Sequence, residues 1–125
     1  MKPPEWFQEF ANRLRVGVTL DDCGDWVCDG KWGHFSIYGE KRVAICCVGK
    51  TTPHLKHRLK RFIPEKYLYL ECDSEAIWVV PCDLIHIFKE TRKSLKIRLR
   101  PLYSSKEIER KREWANTINT SRIAS

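Results

Sequence analysis

Cys23 and Cys28, separated by four residues, and Cys82 and His86, spaced to share one helix face at i and i+4, are four ligands of the kind that hold zinc tetrahedrally. Such a site requires the fold to bring two distant pairs together, and neither pair has the tighter Cys-x-x-Cys spacing. The competing reading is of thiols buried as small apolar side chains, with zinc as the alternative and no cofactor expected. Cys82 with His86, or His34 with a neighbouring cysteine, also supplies a thiol nucleophile and its base. That chemistry needs a lowered thiol pKa and an aligned imidazole. Within its apolar run, His86 reads more simply as a packed core histidine.

Asp21, Asp22, Asp25 and Asp29 lie close together and could hold a divalent cation for phosphoryl chemistry. They do not follow the alternating ligand positions of a calcium loop, and turns account for them. Asp29-Gly30 suits a two-residue type I′ hairpin turn, in which both central positions need positive φ. Gly24, Gly30, Gly33 and Gly39 read as turn residues, and no phosphate-binding glycine loop is present.

The remaining candidates are basic. One set is Lys56, Arg58, Lys60 and Arg61; the other is Lys96, Arg98 and Arg100 with Arg110, Lys111 and Arg112. Lysines and arginines that neutralise phosphates release counterions, and Trp114 or Tyr103 could stack on an exposed base. The bland reading is a solvated surface, with Trp114 docking the last helix. The formal charge of +7 is unevenly placed. Residues 1–30 hold six acids and three bases, a balance of −3, whereas residues 89–113 hold ten bases and four acids, a balance of +6. The back of the chain therefore favours nucleic acid or an acidic protein as partner.

These side chains must be positioned by 125 residues, enough for one domain with its own core. Hydrophobic residues at 42%, with five Trp, five Phe and four Tyr, exclude a disordered chain. No apolar run reaches the length of a signal peptide or a membrane span, so a cytoplasmic location and no membrane partner are expected. The six cysteines are then reduced thiols, and the adjacent Cys46 and Cys47 point to opposite faces of a strand.

Pro4 suits a first helical turn, and Trp6, Phe7, Phe10, Ala11 and Leu14 recur at helical spacing. Val16, Val18 and Leu20 alternate as a short strand that ends in the Asp-rich turn. Trp26-Val27-Cys28 pairs with Lys31-Trp32 across Asp29-Gly30, and residues 34–38 pair with 42–48 across Gly39-Glu40, giving a β meander. Thr52-Pro53 caps a short basic helix, residues 54–62, with Leu55, Leu59 and Phe62 inward. Residues 67–72 and 76–80 form a second hairpin. Residues 81–91 read as a helix with Leu84, Ile85, Ile87 and Phe88 inward, or as a strand continued through Ile87. Leu95, Ile97 and Leu99 alternate with Lys96, Arg98 and Arg100, an extended segment with one wholly basic face. Ser104-Ser105-Lys106-Glu107 matches a capping box opening a charged helix to about Ile118, whose packing residues are Ile108, Trp114, Ala115 and Ile118. The expectation is an α+β fold in one domain over residues 1–118, with a frayed tail over 119–125. It combines antiparallel hairpins with an N-terminal helix, a short basic helix and a C-terminal charged helix.

Pro4-Glu5-Trp6-Phe7 opening a helix, Asp22-Cys23-Gly24-Asp25, Gly30-Lys31-Trp32-Gly33-His34 leading into an aromatic strand, and the terminal basic segment with its Ser-capped helix resemble a group of small bacterial and phage-borne proteins. The resemblance implies a mobile-element or accessory setting and no catalytic role. The strand pair before Val48-Gly49-Lys50 and the hairpin ending at Pro81 also resemble the PD-D/E-X-K nuclease superfamily in outline. The chemistry departs from it: residues 34–38 offer no acid, and Cys46 and Val48 stand where carboxylate ligands are needed before Lys50. The leading expectation is a non-enzymatic accessory protein that binds nucleic acid or an acidic partner. The alternatives are a protein interaction module whose last helix pairs with another chain, a zinc-binding protein, or a degenerate nuclease-like domain.

Overall fold

The computed structural model describes residues 2–100. The charged helix expected over residues 104–118, the tail at 119–125 and the site residues Arg110, Lys111, Arg112 and Trp114 lie outside the described residues. The fold is α+β. Its elements, in order, are α1 (Glu5–Leu14), β1 (Thr19–Leu20), β2 (Trp26–Asp29), β3 (Gly33–Ile37), β4 (Arg42–Val48), α2 (Thr52–Leu59), a 3-10 turn (Glu65–Tyr67), β5 (Leu68–Glu71), β6 (Glu75–Pro81) and α3 (Ile85–Leu95). The six strands form one antiparallel sheet in the order β1-β2-β3-β4-β6-β5.

Register sorts the side chains into rows across the sheet. Cys28, Phe35, Ile45, Trp78 and Leu68 stand opposite one another on β2, β3, β4, β6 and β5. The first four are fully buried, and this face meets the helices. Phe7, Phe10, Ala11 and Leu14 of α1, Leu55 and Leu59 of α2, and Ile87, Phe88 and Leu95 of α3 complete the core. Phe10, Phe35 and Phe88 meet edge to face, with Phe10 and Phe88 centroids 4.7 Å apart. The alternate rows, Thr19-Val27-Ser36-Ala44-Val79 and Asp29-His34-Cys46-Ile77-Leu70, fall on the opposite face. Cys46 and Cys47 thus point to opposite faces, and all six cysteines are free thiols.

Several local expectations are corrected. Asp29-Gly30 is not a type I′ turn: Asp29 pairs with His34, the connection is the four residues from Gly30 to Gly33, and Gly30 has no positive φ. Lys31 and Trp32 are loop residues, and β2 pairs with residues 34–36. Gly30 is needed for space. A Cβ there would lie 2.6 Å from Ile97 Cγ1 and 2.7 Å from the Leu95 carbonyl oxygen, and a Cβ at Gly33 would run into the Cys46 carbonyl oxygen. The Gly39 turn holds, with positive φ at Gly39 and Lys41 and a Tyr38 N–H to Arg42 carbonyl bond of 2.9 Å.

Val16 and Val18 are not in a strand; β1 keeps only Thr19 and Leu20, and Val16 makes an isolated bridge with Leu99. Thr51, not Thr52, occupies the N-cap of α2, while Thr52 is buried and its hydroxyl donates to the Ser74 carbonyl oxygen. Residues 85–95 are helical, so Leu95 belongs to α3 and the extended segment begins after Lys96. Ile97 is buried and Leu99 is 45% exposed, which leaves the apolar face of that segment only half covered. Among the described residues no helix is long and apolar enough to cross a membrane.

Candidate anion-binding groove

The zinc quartet does not assemble. Cys23 is exposed in the turn after β1, Cys28 is buried on the helix-covered face, and Cys82 follows β6 before α3 begins. His86 is exposed on α3, not packed in the core, and does not share a helix with Cys82. Among the described residues no three His, Cys, Asp or Glu side chains converge to hold a metal. Reading the cysteines as buried thiols holds for Cys28, Cys46 and Cys47 and fails for the exposed Cys23 and Cys72.

The aspartates serve the turn in one clear instance. Asp21 Oδ1 accepts the backbone N–H groups of Cys23 at 2.9 Å and Asp25 at 2.8 Å, and Gly24 takes positive φ. The fold also brings a cysteine opposite a histidine, since His34 pairs with Cys46 and Asp29 pairs with His34. This row is not an activated nucleophile. Burial pushes the Cys46 thiol up, its polar contact is with Ser36 Oγ at 3.9 Å, and thiolate formation is opposed where nucleophilic attack would need it.

The two basic sets separate toward opposite edges of the sheet. At the end of α2, Nζ of Lys60, its C-cap residue, lies 2.6 Å and Lys56 Nζ 3.5 Å from Glu71 Oε1 of β5, and Lys56 also donates to the Cys72 carbonyl oxygen. The hydrogen bond from Lys60 is the main cause that holds the Glu71 carboxyl below the usual carboxylate range. Arg58 and Arg61 remain exposed beside this pair.

At the other edge, residues 96–100 line a groove of about 500 Å³. Among the described residues its charged walls are Lys31, Lys96, Arg98 and Arg100, against one acid, Asp29. The groove follows from how α3 ends. Lys96 takes the left-handed conformation (φ 58, ψ 41), with its N–H turned back to the Arg92 and Lys93 carbonyls. The Leu95 carbonyl oxygen accepts the Trp32 N–H at 3.0 Å, and the Lys96 carbonyl oxygen accepts the Lys31 N–H. The loop from Gly30 to Gly33 is therefore a seat for the helix end, and its two glycines let the backbones meet.

Beyond the seat, Arg92 Nη1 donates to the Ile97 carbonyl oxygen at 2.9 Å, and Leu99 pairs with Val16. Arg100 is bound at both ends, its N–H to the Arg15 carbonyl oxygen at 2.6 Å and its guanidinium to Asn12 Oδ1 at 2.7 Å. Lys31 Nζ lies 4.9 Å from the centroid of the Trp32 ring. Sequence reasoning missed Lys31 and the neighbouring Arg15, because only the seating of α3 brings them beside residues 96–100. The groove can hold an anionic chain. Lys96 and Arg98 are exposed, and no ion pair ties them among the described residues. Comparison with family models, with curated proteins and with solved structures finds no match for this chain.

Proposed function

We propose that the protein is an accessory nucleic-acid-binding protein that holds a phosphate backbone in the groove formed by Lys31, Lys96, Arg98 and Arg100. The observation that carries the reading is the gathering of four cations from two distant parts of the chain around one groove with one acid. Arg98 and Arg100 flank the bridged Leu99, and two extended residues advance about 6.6 Å. A duplex carries one phosphate per about 3.4 Å of helix axis on each strand, so cations spaced this far apart can each meet a phosphate. Nucleic acid carries a phosphate at every nucleotide whatever its sequence, which favours it of the two partners. Among the described residues lining the groove none is aromatic, so the reading is of contact mainly to phosphates, without stacking from the described walls.

Binding of random duplex and single-stranded DNA and RNA, titrated with salt, tests this. The expected outcome is affinity that falls steeply with salt, and a shallower slope in a variant with Lys31, Lys96 and Arg98 replaced by Ala. An unchanged affinity and slope in that folded variant would remove the groove as the site. Binding that prefers polyglutamate over nucleic acid would assign the groove to an acidic protein instead.

A further inference from the structure

A second gathering of functional side chains lies toward the β5 edge of the sheet, and it differs from the groove in kind. Tyr38 and Arg42 close the turn at Gly39: the Tyr38 N–H donates to the Arg42 carbonyl oxygen at 2.9 Å, and Arg42 pairs with Pro81 of β6. This row is two residues on from Ser36-Ala44-Val79, so its side chains stand on the face of the sheet away from the helices. From the neighbouring edge, Lys66 and Tyr67 come from the 3-10 turn and Tyr69 from β5. Leu68 stands opposite Trp78 and Leu70 opposite Ile77, so Tyr69 is the extra residue of a bulge, a device that re-aims a side chain. Together these residues line a cleft of about 340 Å³ that shares no lining residue with the groove.

Three phenol rings and two cations face this cleft, and among the described residues no acid lines it. Two of the rings already carry a cation. The Arg42 guanidinium carbon lies 5.2 Å from the centroid of the Tyr38 ring, and Lys66 Nζ lies 5.1 Å from that of Tyr67. Tyr69 carries no cation among the described residues and is 61% exposed. Its ring lies 5.3 Å from that of Tyr38 at an angle of 57°, so the two cannot sandwich a flat ligand, and Tyr69 offers its outer face. Protection of an edge strand accounts for a lysine and a bulge. It does not account for tyrosines from a turn, a 3-10 helix and a strand around one cleft. A simple anion would use the cations and leave the rings idle, an apolar ligand would do the reverse, and a nucleotide uses both. We infer that this cleft is a subsite for an unpaired nucleotide of a single-stranded nucleic acid, whose base stacks on Tyr69 while Arg42 and Lys66, held over Tyr38 and Tyr67, meet the adjoining phosphates. A base inside a duplex has both faces covered by its neighbours, so stacking here selects single strands; every base has a π-face, so it does so with little regard to sequence. The subsite adds a preference for which the groove has no described aromatic wall, and it stands without the groove.

Binding of an oligothymidylate strand, the same strand annealed to its complement, an abasic strand of equal length and thymidine monophosphate to the intact chain tests this. Tyr69→Ala, at an exposed position, is expected to weaken the single strand about tenfold and to leave the duplex and the abasic strand unchanged. Tyr69→Phe, which keeps the ring, should retain the affinity. Replacing Arg42 and Lys66 together with Gln should lower the salt slope for the single strand by about 0.7 unit per cation. An unchanged single-strand affinity in folded Tyr69→Ala overturns the inference, as does an equal loss for the duplex or a loss in Tyr69→Phe as large as in Tyr69→Ala. So does a salt slope that the Gln pair leaves unchanged. Thymidine monophosphate bound as tightly as the strand overturns it in favour of a free nucleotide as occupant. The two sites fail separately: replacing Lys31, Lys96 and Arg98 with Ala weakens duplex and single strand alike if the groove binds, whereas Tyr69→Ala acts on the single strand alone.

Discussion

The two basic regions of this protein differ less in charge than in what the rest of the fold does with it. On α2, two of the four cations are engaged with Glu71 of the neighbouring edge strand. At the opposite edge, Lys31, Lys96, Arg98 and Arg100 surround a groove, and their polar contacts are largely to backbone or neutral groups. A count of lysines and arginines makes the regions equal. The difference is that an ion pair inside the molecule must be broken before a phosphate can take its place, whereas an unpaired cation loses only water and counterions.

The sharpest way to break the comparison is to remove the seat that holds one region in place. Gly30→Val forces a branched side chain against Ile97 and the Leu95 carbonyl oxygen, and is expected to cost about 3 kcal/mol or more. Gly30→Asn separates the causes. Asn relieves a positive-φ turn but not a lack of space, so it is expected to destabilise comparably in denaturant titration.

A second measurement asks whether both regions stand on the same core. Burial on the helix-covered face pushes both the Cys28 thiol of β2 and the Cys47 thiol of β4 up to about 12. In the unfolded chain they ionise near pH 8.5. Their contribution is therefore fully present below that pH and is lost as pH rises toward the folded value. Between about pH 9 and 12, stability is expected to fall by about 1.4 kcal/mol per pH unit for each thiol. Denaturant melts across that range check the slope, and Cys47→Ala should remove one thiol's share of it, the raised Cys46 and Cys82 thiols adding to the remainder.

The third test addresses the groove itself. Replacing Lys31, Lys96 and Arg98 with Ala is expected to lower the slope of log affinity against log salt by about two to three units, one phosphate contact per cation. Arg100 is left out because its bond to Asn12 also ties the segment to α1. Replacing Arg58 and Arg61 in parallel should change the slope by less than one unit.

What the sequence discloses follows the range of the interactions that decide each element. Helix α1, the hairpin at Cys72 to Ser74 and the opposite facing of Cys46 and Cys47 rest on spacing within a few residues, and they were legible. The Gly30–Gly33 loop was misread. An Asp-Gly pair carries a strong local turn signal, but the close approach of Leu95 and Ile97, more than sixty positions away, decides its conformation. The same distance hid Lys31, which has no basic neighbour in sequence. The placement of β6 between β4 and β5 is equally non-local, and it sets Glu71 beside α2. Of the basic sites, Lys96, Arg98 and Arg100 were legible as a face, because alternation alone specifies it. The engagement of Lys56 and Lys60 was not, because their partner lies across the packing of a helix on a strand.

The smallest effect tests that last point most directly. Glu71→Gln removes the charge that engages Lys56 and Lys60 and keeps the shape of the side chain. Because the pair is exposed, melting should change little. Nucleic-acid binding at low salt should instead strengthen slightly, with a salt slope steeper by no more than two units, as two lysines become free on α2. The pH dependence gives an independent sign. Lys60 holds the Glu71 carboxyl below its unfolded value, so the pairing is complete above about pH 4.3, the ordinary glutamate value, and is lost as pH falls through the lowered folded value. Lysine side-chain NMR shifts of Lys56 and Lys60 in the unaltered protein should therefore hold steady from neutral pH to below pH 4.3 and then move toward those of Glu71→Gln. If Glu71→Gln leaves both the shifts and the binding slope unchanged at pH 7, the two basic regions are equally available, and the distinction between them falls.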